Sequence, residues 1–280
     1  MEDSKPDPTL ERKRRLRRRV IVYGTLIVGF WAFYVWQPIE IDLIPRRLPP
    51  KRLVGPKDGE LFSANSRVMV VVAHPDDSEF YIAGTLLRLA QSGADLRQLL
   101  FTDGDKSFYF WADTSGLRKT RQGEQRIASA KWNAKELTFL GFPDGRLRKS
   151  RQTVDGMVAV MKRWRPNIVL SFDGDYPPRV SHQDHRRSGD IAEAACAEAK
   201  FTGWHLRFAT MAPTYVVDVD SVWTERLDLL AIHKSQFSGE KLNRIRAFIA
   251  DGAVERAGEL GFSFGEAFRC SRMQDGRIVD

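Results

Sequence analysis

The chain changes character near residue 67. From there to residue 219, short apolar runs alternate with longer stretches whose apolar residues recur every three or four positions. Residues 68–73 (VMVVVA) form a continuous, mostly β-branched run, the pattern of a strand buried on both faces. Residues 80–91 have helical spacing and stop before Gly93, and 96–102 (LRQLLFT) read as a second strand. A helix over 118–133 follows, then a short strand ELTFLG at 136–141, a helix over 153–164 stopped by Pro166, and a buried strand at 167–172. A helix over 186–200 and a last clear strand at 214–219 complete the series. Strand–helix alternation with helical crossovers predicts an α/β domain, a Rossmann-like, mostly parallel sheet with helices on both faces. In such sheets ligands sit beyond the strand C-termini, where strand order reverses, so chemistry is sought in the loops after strands.

Upstream the pattern is different. Residues 20–36 (VIVYGTLIVGFWAFYVW) contain no charge, and as a helix would reach roughly 26 Å, near the short end of what crosses a hydrocarbon core of about 30 Å. Tyr34 and Trp36 stand at its far end, where amphipathic rings favour the headgroup region. No small-x-small cleavage site follows, and a buried core helix would carry some polar stripe, so the run reads as one uncleaved transmembrane signal anchor. The expected organisation is a basic cytoplasmic tail at 1–19, the anchor at 20–36, a Pro- and Gly-rich linker at 37–66 and the α/β domain at 67–280.

Composition narrows the function classes. The 280 residues suffice for a sizeable core, and 29% charged with 42% hydrophobic residues reads as globular. A mean hydropathy of -0.36 excludes a polytopic membrane protein. Of the net charge of +8, the tail at 1–19 holds +4 through eight bases against four acids. No large basic face is left to demand nucleic acid. The tail's bases outnumber those just after the run, which predicts a cytoplasmic N-terminus and a domain on the other side, and they suit anionic lipid headgroups. Two cysteines, Cys196 and Cys270, exclude a disulfide scaffold or a four-thiolate zinc module and read as structural thiols.

Chemistry concentrates in two loops. After the first strand stands Ala73-His74-Pro75-Asp76-Asp77-Ser78-Glu79, and after the 167–172 strand Ser181-His182-Gln183-Asp184-His185. Helix capping would account for one carboxylate in each loop, but not for two adjacent acids beside a histidine. Three of the five histidines occupy these two loops. If the two strands pair, imidazoles and carboxylates meet at one rim, a donor set suited to zinc or another divalent ion with one coordination position open.

These motifs resemble the PIG-L/LmbE-like N-acetylglucosaminyl deacetylases, whose A-H-P-D-D and H-x-D-H signatures both stand here unaltered. The resemblance continues through FTDG at 101–104, the R-x-x-E of Arg121 and Glu124, FPDG at 142–145, HKSQ at 233–236 and GEAF at 265–268. It implies His74, Asp77 and His185 as zinc ligands, Asp76 as general base, His182 as a cationic oxyanion stabiliser and proton donor, and Asp184 tuning a neighbouring histidine. Asp105 stands where the family often shows Glu, and with Arg121 it is a candidate substrate-binding residue. The aromatic run Phe108-Tyr109-Phe110-Trp111 reads as a lid segment packed on the core or as a platform for a sugar ring or lipid tail. Residues 175–179 are expected to shape the mouth of the site.

The expected function is a membrane-anchored, zinc-dependent hydrolase removing acetyl from an N-acetylglucosamine-type sugar, on a lipid-linked or cell-surface glycan. The membrane-bound eukaryotic members that the chain resembles face the cytosol, whereas the charge bias here points outward; a bacterial inner-membrane protein with a periplasmic domain reconciles the two. The alternatives are a zinc amidase on a non-sugar or thiol-conjugated amide, and a catalytically silent glycan-binding module. Intact Asp76 and His182 weigh against the last, since binding alone needs neither base nor oxyanion donor. No G-x-G-x-x-G follows the first strand, which disfavours a nucleotide-binding protein.

Overall fold

The computed structural model describes residues 54–106, 115–176 and 182–279. The expected tail at 1–19, the apolar run at 20–36, the linker up to residue 53, the aromatic run at 108–111 and residues 177–179 lie outside the described residues. Among the described residues, no helix is long and apolar enough to cross a membrane.

Five strands run parallel: β1 (Arg67–Val72), β2 (Asp95–Thr102), β3 (Glu136–Phe142), β4 (Ile168–Phe172) and β5 (Gly203–Phe208), in the spatial order β3-β2-β1-β4-β5. Beyond β5 the direction reverses. Strand β7 (Gly265–Gln274) pairs antiparallel with β5, with β6 (Tyr215–Asp218) and with the short β8 (Arg277–Ile278). The sheet is therefore parallel over the predicted half and antiparallel at one side.

The helices are α1 (Asp58–Leu61), α2 (Asp77–Tyr81), α3 (Ala83–Gln91), α4 (Ser115–Lys131), α5 (Arg151–Trp164), α6 (Gln183–Glu198), α7 (Trp223–Leu230) and α8 (Gly239–Ala257). The continuous apolar run of β1 finds two partners. Val68, Val70 and Val72 pack in one cluster with Leu86 and Leu89 of α3, while Met69 and Val71 pack in another with Met157 of α5 and Ile191 of α6. Each such side chain, fully buried, contributes about 1.5–3 kcal/mol, which ties β1 to both layers.

Three expectations change. The helix expected over 80–91 is two helices, interrupted at Ile82 (φ −139°, ψ 20°). The second begins afresh because Glu266, from β7, accepts the Gly84 and Thr85 amides at 3.0 and 2.7 Å and caps its positive end. The linker does not reach residue 66: Leu61 is fully buried against the β1 cluster, and the Val54 amide donates to the Thr214 carbonyl at 2.7 Å. Finally, β5, β7, α7 and α8 were not expected from the apolar pattern.

Candidate metal and active site

Strands β1 and β4 are neighbours, and the helices that follow them, α3 and α6, pack in different core clusters on opposite faces of the sheet. Their C-terminal ends therefore open a crevice where the winding reverses, and both histidine loops enter it.

In the loop after β1, Asp77 folds back so that its Oδ2 accepts the amides of Ala73 (3.0 Å) and His74 (2.8 Å). Asp76, between them, adopts φ 102° and ψ −22°, a backbone conformation that costs a non-glycine residue about 1–3 kcal/mol. In the loop after β4, His182 caps α6, its Nδ1 accepting the Asp184 amide at 3.2 Å. His185, one turn further on, stacks on Phe172 of β4 with ring centroids 4.3 Å apart and planes 7° from parallel.

The two loops meet. The rings of His74 and His182 lie 4.9 Å apart and those of His74 and His185 5.2 Å apart. Asp77 touches both of the latter, its Oδ1 3.1 Å from His185 Nε2 and its Oδ2 3.5 Å from His74 Nδ1. Two triads place one ligand atom from each member within 4.8 Å of one another: His74, His182 and His185, and His74, Asp144 and Asp184. The buried His74 Nε2 stands 3.1 Å from Asp144 Oδ1 and 3.5 Å from Asp184 Oδ2, yet neither carboxylate is aligned to form its hydrogen bond. A buried imidazole nitrogen left without a hydrogen bond, among hard oxygen and borderline nitrogen donors, is the environment that a divalent cation satisfies. The residues present fit such an ion.

Residues 69–196 match the PIG-L family, described as GlcNAc-PI de-N-acetylase. Diacetylchitobiose deacetylase of Thermococcus kodakarensis is 29% identical over 231 residues, which cover 76% of this chain and 86% of that protein. The probable N-acetyl-alpha-D-glucosaminyl L-malate deacetylase 2 of Bacillus anthracis is 27% identical over 207 residues, covering 67% and 88%. Among solved structures, the N,N'-diacetylchitobiose deacetylase from Pyrococcus horikoshii, complexed with its inhibitor MPG, has a TM-score of 0.70 at 22% identity. It covers 74% of this chain and 85% of that one, and at this identity the likeness shows the fold.

Charge in this crevice is set by close packing of acids and imidazoles. Burial works against protonation of His74, but Asp77, Asp144 and Asp184 outweigh it and hold the ring well above the usual histidine value. Burial would raise Asp77, yet His185 and His74 bring it well below the carboxylate range. Asp76 moves the other way. Burial raises it, with Arg121 offsetting part of the effect and Asp77 adding to it. His182 reaches into the crevice with its outer edge in solvent; desolvation, then His74 and His185, lower it to about 4. Its Nδ1 accepts an amide hydrogen, so the neutral ring carries its proton on Nε2. In the metal-free chain the ring is therefore neutral, where the resemblance implied a cationic His182.

Arg121, expected as a substrate clamp, faces mostly inward. Its Nη1 donates to the Gly104 carbonyl (3.0 Å), and its Nη2 donates to the Pro75 carbonyl (2.7 Å) and to Asp76 Oδ2 (3.0 Å). Gly104 makes this possible: a Cβ there would stand 2.7 Å from Arg121 Cζ, and its φ is +66°. Asp105 is paired with Arg118 and is not among the residues lining the crevice; its neighbour Lys106 is. Asp184 is fully buried and accepts the Gly145 and Leu147 amides at 2.6 and 3.2 Å, so it holds the 142–145 turn as well as facing His74.

Asp144 was missed as a site residue. FPDG was visible as a motif, but nothing in its spacing said that its carboxylate turns onto His74. Also missed was a buried cluster behind Asp76, made of Gln125, Glu79, Gln98 and His233. The fifth histidine, His205, belongs to the core: Ser171 Oγ lies 2.8 Å from its Nε2, and burial lowers it to about 3. Cys196 and Cys270 are buried and unbridged.

The crevice has a volume of about 320 Å³ and is lined by Phe80, Tyr81 and Phe237 as well as by the polar groups above. That is the lower end of small-molecule sites, and it mixes apolar faces with a few directed polar groups.

Proposed function

We propose that this protein is a zinc-dependent hydrolase that removes the acetyl group from an N-acetylglucosamine-type sugar. The reading is carried by one observation: His74, Asp77, His182 and His185 converge at one rim, with Asp76, a carboxylate raised by burial and paired with Arg121, immediately beside them. His74, Asp77 and His185 would hold the ion, with His182 and Asp144 within reach of the same place. When bound, a zinc ion polarises an amide carbonyl and brings the acidity of water near neutrality.

The chain's own groups supply the rest. Asp76 accepts the proton of the attacking water at an oxygen not engaged by Arg121, and its raised pKa moves it toward working pH. His182 presents Nε2–H to the oxygen on which negative charge develops, worth about 3–4 kcal/mol for one well-placed donor. Phe80, Tyr81 and Phe237 offer apolar surface to a sugar ring. The relatives named for diacetylchitobiose and for N-acetylglucosaminyl malate support an N-acetylated amino sugar as substrate.

The same proposal includes anchoring. The uncharged run at 20–36, preceded by eight bases, supports a single-pass bacterial inner-membrane protein with its N-terminus cytoplasmic and its domain periplasmic. A tethered domain suits a lipid-linked or cell-surface glycan, because tethering raises local concentration.

Acetate release across free, nucleotide-linked, polymeric and lipid-linked N-acetylglucosamine tests the activity and sorts the substrate. Asp76→Asn is expected to retain metal and lose about 10²–10⁴-fold in kcat; full activity in that variant removes the base assignment. Protease added to intact spheroplasts is expected to reach the domain; protection there overturns the topology.

A further inference from the structure

We propose that Gln125 is a positioning residue for the Asp76 base; the inference rests on the deacetylase reading above. Asp76 sits in a conformation that non-glycine residues seldom adopt, so something must hold its backbone there. One holder is Arg121, through the Pro75 carbonyl and the Asp76 carboxylate. The other is Gln125, one helical turn along α4, whose Oε1 accepts the Asp76 amide at 2.8 Å. Without that acceptor the 75–76 peptide loses the contact that fixes its direction, and the carboxylate swings with it.

Only an amide side chain suits this place. Toward Asp76 the group must accept, because a backbone N–H faces it. Toward the core it must donate: Gln125 Nε2 lies 3.2 Å from both oxygens of Glu79 and 3.0 Å from Gln98 Oε1. Glu79 is fixed in turn by the Trp132 Nε1–H at 2.8 Å and by His233 Nε2 at 3.1 Å. Gln125, Glu79 and Gln98 are all fully buried, so water cannot replace a lost partner. The cluster therefore sets which end of Gln125 meets Asp76. His233, the first residue of the 233–236 motif, gains a place in the site three contacts away from the base, through Glu79 and Gln125.

The test compares full-length Gln125→Met and Gln125→Asn with the unaltered chain, on whichever N-acetylglucosamine derivative the latter turns over. Met keeps the length and removes the hydrogen bond to Asp76 together with those to Glu79 and Gln98; Asn keeps the amide and falls one methylene short. Expected is a kcat loss of about 100-fold, the scale of a misplaced catalytic group, with KM and metal per chain within twofold of the unaltered protein. Should the Met variant not fold, the Asn variant decides. A folded variant with kcat within threefold of the unaltered chain overturns the inference, and so does a loss of metal or a rise in KM that accounts for the lost activity. An unaltered chain that releases no acetate from any substrate refutes the deacetylase reading, and this inference with it.

Discussion

Titrating the metal-free protein with zinc at pH 7 reads the charge on His74. That imidazole faces three carboxylates, with Asp144 at 3.1 Å and both Asp77 and Asp184 at 3.5 Å, which together outweigh burial and hold it well above the usual histidine value. It is therefore protonated at pH 7 in the metal-free chain, and a metal ligand must be neutral. His182, lowered to about 4, and Asp77, already ionised, have no proton to give. Binding is expected to release at least one proton, so affinity climbs about tenfold, or roughly 1.4 kcal/mol, per pH unit between pH 6 and 7. Calorimetry in two buffers of different ionisation enthalpy counts the protons, and a pH series gives the slope. Affinity that is flat between pH 6 and 7, with no proton released, refutes the charge assignment. The stability of the metal-free chain has the opposite sign. A raised folded-state pKa contributes fully below the unfolded value near 6.5 and is lost as pH rises through the folded value.

Asp184→Asn keeps one acceptor for two backbone donors and turns an NH₂ toward the Gly145 or Leu147 amide. Losing one hydrogen bond to a charged group should cost about 1.5–3 kcal/mol in urea unfolding at unchanged m-value; no change in the midpoint would show that Asp184 does not hold the turn. In the unaltered, metal-free chain, Asp184 is lowered because His74, the Gly145 amide and His182 outweigh its burial. Its contribution is therefore present above about pH 4, the unfolded carboxylate value, and fades as pH falls through the lower folded value. Gly104→Ala places a methyl 2.7 Å from Arg121 Cζ at φ +66°, so kcat and thermal midpoint should both fall; retention of both would separate Arg121 from Asp76 function. His185→Ala removes the ring stacked on Phe172 and should weaken metal affinity by more than about 100-fold, as read by equilibrium dialysis; metal content equal to the unaltered chain would take His185 out of the ligand set.

What was legible in the sequence follows from burial. Strands β1 and β4 are covered on both faces, so their apolar runs are continuous and plain. Strands β5 and β7 hide because they bury polar groups: Arg207 of β5 is paired with Ser271 of β7, and His205 of β5 bonds to Ser171 of β4. Those residues interrupt any apolar count. The interruption at Ile82 was invisible for another reason, since the cap that restarts the helix comes from Glu266, 182 residues downstream of Gly84. In the site, His74, Asp76, Asp77, His182 and His185 announced themselves through short spacing within two loops. Gln125 and Asp144 act across the fold on residues distant in the chain, and a lone glutamine on a helix carries no local signature.

The crossing of two strand ends at one rim also makes the bound ion a fastener. A cation held by residues 77 and 185 would close a loop of about a hundred residues, including β2, β3, β4 and the helices between them. Confining so long a stretch of denatured chain is worth about 4–5 kcal/mol if reckoned like a covalent cross-link of that span. Stripping the ion would then loosen the whole central fold along with ending turnover, and resistance to proteolysis would become a gauge of occupancy.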